Sequence, residues 1–368
     1  MQCPKCGKEN LDSAQFCEFC NNALTRGAVR PETVIVKTSR LAIAALVLGI
    51  LSLFTWGITA IPAIILGIIS LVLIEKSGGR ITGRGFAIAG IIIPVVVFFL
   101  TMGILIPALM RTRQIAYRTV CSANLSAIGK AMHWYINDYN DEFPRAGGPN
   151  TRWGVTLNWQ ADNHSDAFGL KNGDGQATIS ASLYLLVKYE NVTPKSFICK
   201  SDSGATEFKL SEHDIRDREF IDFWDFGPNP SNHCSYAYHL PYGEYPLTST
   251  YLPGMAVATD RNPWLDSPFT RAKEFSKFNP DGDTKGIKYG NTILHKEDGQ
   301  NVLFLDEHVS FEKKSFCGVK NDNIYTFWSG ADIRRGAPPV IGSQPAGRVD
   351  SLLVNDPWIV SEKPRRVR

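Results

Sequence analysis

The sequence predicts a multidomain membrane protein: a metal-folded N-terminal module, an α-helical transmembrane bundle, and an α+β domain in which a long N-terminal helix packs on a small antiparallel sheet. Three observations carry that expectation. Four cysteines fall within the first 20 residues, Cys3, Cys6, Cys17 and Cys20. Between residues 41 and 109 the only charged side chains are Glu75, Lys76, Arg80 and Arg84. Beyond residue 110 an apolar stripe at helical spacing gives way to Gly-, Pro- and Asn-rich chain with short β-type runs. The averages conceal this division. The 368 residues hold 39 Lys+Arg and 36 Asp+Glu, a net charge of +3 that names no partner. With 20% charged and 44% hydrophobic residues, wholesale disorder is excluded.

The N-terminal module, residues 1–25, reads Cys3-Pro4-Lys5-Cys6-Gly7 and then Cys17-Glu18-Phe19-Cys20. Two Cys-x-x-Cys turns bring four thiolates around one tetrahedral Zn²⁺, and so short a segment buries no core, so the metal supplies the folding energy. Gly7 suits the positive-φ turn after the first pair, and Asn21 takes the same position after the second. Two disulfides are the other reading of four cysteines. Lys5 and Lys8 are offset by Glu9, Asp12 and Glu18, so the module presents no basic stripe for phosphates and nucleic acid is not the expected partner. The pattern resembles the zinc ribbon at the extreme N-terminus of many bacterial membrane proteins. Residues 26–40, with Arg26, Arg30, Pro31, Lys37 and Arg40, form a basic linker.

Residues 41–74 carry no charge. As one helix they would reach about 51 Å, against a hydrocarbon core of about 30 Å. Breaks are expected at Thr55-Trp56-Gly57 or Pro62, giving spans near 41–56 and 58–74, with a third over 85–109. Basic residues at Lys37/Arg40 and at Lys76/Arg80/Arg84 place both flanks in the cytoplasm, which requires the first run to cross twice. A two-span arrangement is the alternative. Gly49, Gly57, Gly67, Gly85 and Gly90 suit close packing of membrane helices. The segment Leu41–Ser52, with Arg80-Ile-Thr-Gly-Arg-Gly-Phe-Ala-Ile-Ala-Gly90, resembles a small bacterial membrane domain of unknown function that is often fused behind zinc ribbons.

Past the last span, Leu125, Ile128, Met132, Tyr135 and Tyr139 recur at helical steps, and Asn137-Asp-Tyr-Asn-Asp-Glu-Phe-Pro144 stops the helix. Strands are expected at Ala256–Thr259, Thr292–His295, Val302–Leu305 and His308–Glu312. His295, Asp306 and His308 are a donor set that a hairpin could gather as metal ligands or catalytic groups, or else Asp306 closes a turn and the histidines are exposed. Lys171-Asn-Gly-Asp-Gly-Gln and Asn279-Pro-Asp-Gly-Asp-Thr read as turns, with Ca²⁺ loops as the alternative. In an oxidising compartment Cys121, Cys199, Cys234 and Cys317 form up to two disulfides, with three connectivities open. Neither a Gly-x-Ser-x-Gly elbow nor a His-Glu-x-x-His motif occurs.

The stretch Leu105-Ile-Pro-Ala-Leu-Met-Arg, Cys121, Asn124-Leu and Ile128-Gly, followed by Phe197-Ile-Cys199-Lys-Ser-Asp202, Ser235-Tyr-Ala-Tyr238, Thr259-Asp-Arg-Asn-Pro263 and His295 to Val309, resembles the prepilin-like proteins abundant in planctomycete-type bacteria. The resemblance covers about residues 85–312. It implies an exported pseudopilin-like domain over 111–368, with a cleavage junction at Gly85-Phe86 that puts Pro107 in the family register. The family carries Glu at the fifth mature position, where this chain has Gly90. A carboxylate in hydrocarbon requires a partner charge, and its absence argues against cleavage and fibre incorporation. The expectation is therefore a non-enzymatic, multi-pass inner-membrane protein, with lipid and envelope proteins as partners in assembly or a secretion- or pilus-like system. A membrane-tethered zinc-ribbon regulator and an exported hydrolase are the alternatives. The tail Lys363-Pro-Arg-Arg-Val-Arg368 is expected to be a solvated end.

Overall fold

The computed structural model describes residues 1–24, 36–55, 57–213, 215–268 and 270–357. The linker residues Arg26, Arg30 and Pro31, the break residue Trp56 and the tail from Lys363 to Arg368 lie outside these. The chain divides into two units, Met1–Leu109 and Met110–Arg368.

In the first unit, short strand β1 (Lys37–Thr38) precedes helix α1 (Arg40–Leu51). Helix α2 (Ala60–Lys76), strand β2 (Ile81–Thr82) and helix α3 (Arg84–Asp138) follow, α3 continuing into the second unit. Ser39 caps α1 by accepting the Ala42 N–H at 3.3 Å. The break between α1 and α2 falls at the glycine, Gly57 with φ +85°, whereas Pro62 lies in the first turn of α2 and does not interrupt it. Proline is tolerated there because the first-turn N–H groups have no partner within the helix. β1 pairs in parallel with β2, Lys37 opposite Ile81 and Thr38 opposite Thr82. Both basic flanks thus sit at one end of the α1–α2 hairpin.

The hairpin packs through small residues. Ala42, Ala45 and Gly49 of α1, Ala63, Gly67 and Ser70 of α2, and Ala87 and Gly90 of α3 are buried. A Cβ added at Gly90 would lie 2.7 Å from the Ala45 carbonyl carbon, and one at Gly67 would lie 2.6 Å from Ile91 Cγ1. The large side chains point outward: Ile65, Ile68, Val96, Phe98 and Phe99 are among the many exposed. Among the described residues, α3 is the one helix long and apolar enough to cross a membrane; α1 and α2, at 12 and 17 residues, are shorter.

The second unit contains β3 (Arg152–Trp153), α4 (His164–Phe168), β4 (Gln176–Ala177) and α5 (Ile179–Tyr189). Then come β5 (Tyr236–His239), β6 (Ala256–Asp260), α6 (Thr284–Lys288), β7 (Gln300–Phe304), β8 (Val309–Glu312) and β9 (Leu353–Val354). One antiparallel sheet has the order β8-β7-β6-β5-β9. Alternation places Tyr236, Tyr238, Val257 and Leu303 in one core with Leu125, Ile128 and Met132 of α3. Ala237, Ala256, Val302 and Phe304 enter a second core with Trp264, Phe278 and Tyr325. Gly129 lets α3 approach the sheet, since a Cβ there would meet Leu303 Cδ1 at 2.7 Å. The stripe residues Leu125, Ile128, Met132 and Tyr135 are buried, and Tyr139 stacks on Tyr135 just past the helix end.

One expected strand is absent. Residues 292–295 enter a turn in which Lys296 and Glu297 take φ of 56° and 61°, a left-handed pair no strand accommodates. The hydrogen bonds of the segment are local: Lys296 N–H donates to Ile293 O and Glu297 N–H to Thr292 O. Strands β5 and β9, conversely, carry too little alternation of polarity to be read ahead, because both of their faces are buried.

Candidate functional site

The first site is made by two backbone turns of matching design. Cys3 O accepts from the Gly7 N–H at 2.9 Å, and Cys17 O accepts from the Asn21 N–H at 2.8 Å. Gly7 and Asn21 both take left-handed φ, 69° and 58°, as the spacing predicted. The turns bring Cys3 Sγ within 3.5 Å of Cys20 Sγ, and Cys6 Sγ within 3.5 Å of Cys17 Sγ; all four sulfurs lie within 4.8 Å of one another. Tetrahedral Zn–S bonds of about 2.3 Å require S···S separations of about 3.8 Å, so the set fits one Zn²⁺ with little movement. Asn10 ties the turns together. Its Nδ2 donates to Cys17 Sγ at 3.4 Å and its Oδ1 accepts the Glu18 N–H at 2.9 Å. Burial opposes ionisation of Cys17, but the N–H groups of Cys20 and Phe19 and the Asn10 amide outweigh it and hold the thiol down to about 6. Zinc is the cofactor this domain binds.

The second unit gathers a different set of donors. Cys121 of α3 and Cys199 are disulfide-bonded, 78 residues apart in sequence. Cys234 and Cys317 form no disulfide. Cys234 is buried, its thiol pushed up to about 12 by desolvation, and its sulfur meets Tyr236 O at 3.5 Å. His295 does not join Asp306 and His308. Those two pair with each other in the exposed β7–β8 turn, where Glu307 has φ +69° and His308 stacks on Phe304. The turn after residue 295 carries His295 inward instead, with its Nε2 3.1 Å from Asp260 Oδ2 and 3.9 Å from Cys199 Sγ. Cys121, Cys199, Asp260 and His295 are all buried, with one donor atom from each within 4.8 Å of the others. Sequence reading reached three of these and missed Asp260, the last residue of β6. An acid ending an otherwise uncharged, wholly buried strand was the available signal.

The acid-rich turns bind within the protein. Asp174 faces Arg152, Asp283 caps α6 by accepting the Gly286 N–H, and Asp281 pairs with Arg334 at 2.7 Å. A further polar network, also unforeseen, lines a cavity of about 250 Å³ beside Trp159 and Pro230. Asp225 accepts from Thr156, Thr178 and Ser180, and Asp356 accepts the Ile179 and Ser180 N–H groups at the start of α5. Desolvation, with a contribution from nearby Asp356, pushes the Asp225 carboxyl up to about 7. These carboxylates are spent on internal donors, so the cavity reads as the underside of the α5 cap.

Comparison with known families matches two segments. Residues 2–24 match a zinc-ribbon domain, and residues 41–104 match a domain of unknown function, DUF4190. No curated protein and no solved structure matched the chain. The chain thus carries an N-terminal zinc ribbon followed by a DUF4190 domain, and its four clustered cysteines are the zinc site.

Proposed function

We propose that the chain is a non-enzymatic, multi-pass inner-membrane protein that holds its zinc ribbon in the cytoplasm and a pseudopilin-like domain outside, for assembly or interaction at the envelope. One observation carries this reading: the inverted packing of α1, α2 and the start of α3. Small residues line the inside of that unit and large apolar ones cover its outside. In water such a surface is unfavourable, at about 25 cal/mol per Å² of exposed apolar area. In lipid it costs nothing, and close approach of small residues is what holds helices together.

The pairing of β1 with β2 supports the three-span topology, since it brings Lys37 and Arg80 to one end of the hairpin. The uninterrupted α3 supports the pseudopilin-like part, because it leads from an apolar span into the sheet core through Leu125, Ile128 and Met132. Retention of the N-terminal segment belongs to the same reading. Gly85 and Phe86 lie in the first turn of α3, and cleavage there would remove α1 and α2 from the buried faces of Ala87 and Gly90. Intact-mass measurement of protein from native membranes tests this. The full chain is expected; a product beginning at Phe86 would restore an ordinary pseudopilin and remove the ribbon from the mature protein.

A further inference from the structure

The four donors around His295 Nε2 have an arrangement that a disulfide alone does not account for. Asp260 is fully buried, and its Oδ1 has no hydrogen-bond partner among the described residues. A buried carboxylate oxygen left in that state is costly unless a cation faces it. The other oxygen, Oδ2, accepts the Asn301 N–H at 2.7 Å and lies 3.1 Å from His295 Nε2. His295 is in turn oriented from its far side, where Nδ1 meets Ser201 Oγ at 3.3 Å. A ring nitrogen fixed by a partner on its other nitrogen, beside a carboxylate held by a backbone N–H, is how metal ligands are positioned. Asn301 Nδ2, 3.3 Å from His295 Nε2, is a group that an ion entering the cluster would displace.

We propose that Cys121, Cys199, Asp260 and His295 form a second metal site, of the zinc class, whenever the Cys121–Cys199 bond is reduced. Two thiolates, one imidazole and one carboxylate are a donor set that suits Zn²⁺. Tetrahedral ligation requires N···O separations of about 3.3 Å, close to the observed 3.1 Å between His295 and Asp260, and S···N separations of about 3.5 Å. The two sulfurs must part to about 3.8 Å, which loss of the S–S bond permits. The chemistry balances simply. A dithiol supplies two electrons and two protons to the S–S bond and leaves as its own disulfide; Zn²⁺ then displaces the two thiol protons to solvent. Oxidation reverses the sequence and expels the ion. The buried cluster therefore has two closed states, one cross-linked by sulfur and the other by metal, each joining α3 to the Cys199 loop.

The test counts zinc on the full chain in detergent, oxidised or reduced with a phosphine, after equilibration with zinc and removal of unbound metal. The expected content is about one zinc per chain when oxidised and about two when reduced. In Cys3→Ser/Cys6→Ser, which lacks the ribbon site, the values fall to about zero and about one. Cobalt in that variant should then show a tetrahedral spectrum with charge transfer from two thiolates. His295→Ala and Asp260→Asn should each lose the second zinc on reduction, while the buried free thiol of Cys234 in the oxidised variants still resists alkylation without denaturant, which shows that the domain has folded. A ratio that stays at one in both redox states overturns the proposal. So does a second zinc that survives both His295→Ala and Asp260→Asn.

Discussion

The α1–α2 hairpin and the sheet domain use opposite packing rules. In the hairpin and the start of α3 the interior is Ala42, Ala45, Gly49, Gly67 and Gly90, and isoleucine and phenylalanine cover the outside. In the sheet domain the interior holds Tyr184, Tyr236, Tyr238, Phe197, Phe208 and Phe226. Under the proposed membrane placement, the difference follows from what each surface meets. Where water is the surroundings, removing a large ring from it is the driving force. Where lipid is the surroundings, apolar area gains nothing by burial, and what distinguishes a packed pair is how closely backbones can approach.

The largest expected effect lies in the ribbon, which has neither kind of interior. Replacing Cys3 and Cys6 with Ser should abolish its zinc and its fold, since structural zinc in such modules is worth about 10 kcal/mol or more. Metal analysis and proteolysis of residues 1–24 check this, and retention of full zinc would place the metal elsewhere.

Next comes a direct test of the two interiors. Leu303→Ala, at a fully packed site between α3 and the sheet, should destabilise the second unit by about 2–5 kcal/mol. Ile65→Ala, on the hairpin exterior at 51% exposure, should change stability by less than about 0.5 kcal/mol in detergent or bilayer. Equal losses measured by chemical denaturation would mean that Ile65 is packed against protein and that the inverted reading is wrong.

Bulk inside the small-residue seam should act the other way. Gly90→Leu forces side-chain atoms against Ala45 and should cost about 1–3 kcal/mol, whereas Gly103→Leu, with open space at that position, should be tolerated. Cysteine cross-linking between α1 and α3 would report the separation.

The last effect is a pH dependence confined to the sheet domain. Asp225 titrates near 7 when folded and near 3.8 when exposed, so the folded chain holds the proton more tightly. Its contribution is therefore full below about pH 4 and is lost as pH rises through 7. Asp225→Asn should flatten the fall in thermal midpoint between those values. An unchanged slope would show that the carboxyl is ionised in the folded protein.

What the sequence made legible was what repeats locally. The cysteine turns announce themselves because a knuckle needs two Cys three residues apart and a residue at positive φ directly after, Gly7 and Asn21. The stripe from Leu125 to Tyr135 announces itself because α3 buries one face only. Other features were hidden because their partners are remote. Asp260 meets His295 across 35 positions of chain, and Asp356 reaches back to cap α5 at Ile179. The strand expected at residues 292–295 failed because apolar residues there precede Lys296 and Glu297, whose left-handed backbone turns the segment inward. That same turn moves His295 away from Asp306 and His308. Spacing along a hairpin cannot show this.

The proposed topology has the hairpin crossing the membrane twice, with ribbon and sheet domain on opposite sides. Reporter fusions after Gly27, Gly79 and Lys200 test it most directly. Signals inside, inside and outside are expected. An inside signal at Lys200 would contradict it, leave Cys121 and Cys199 in a reducing compartment, and make a cytoplasmic zinc-ribbon regulator the better reading.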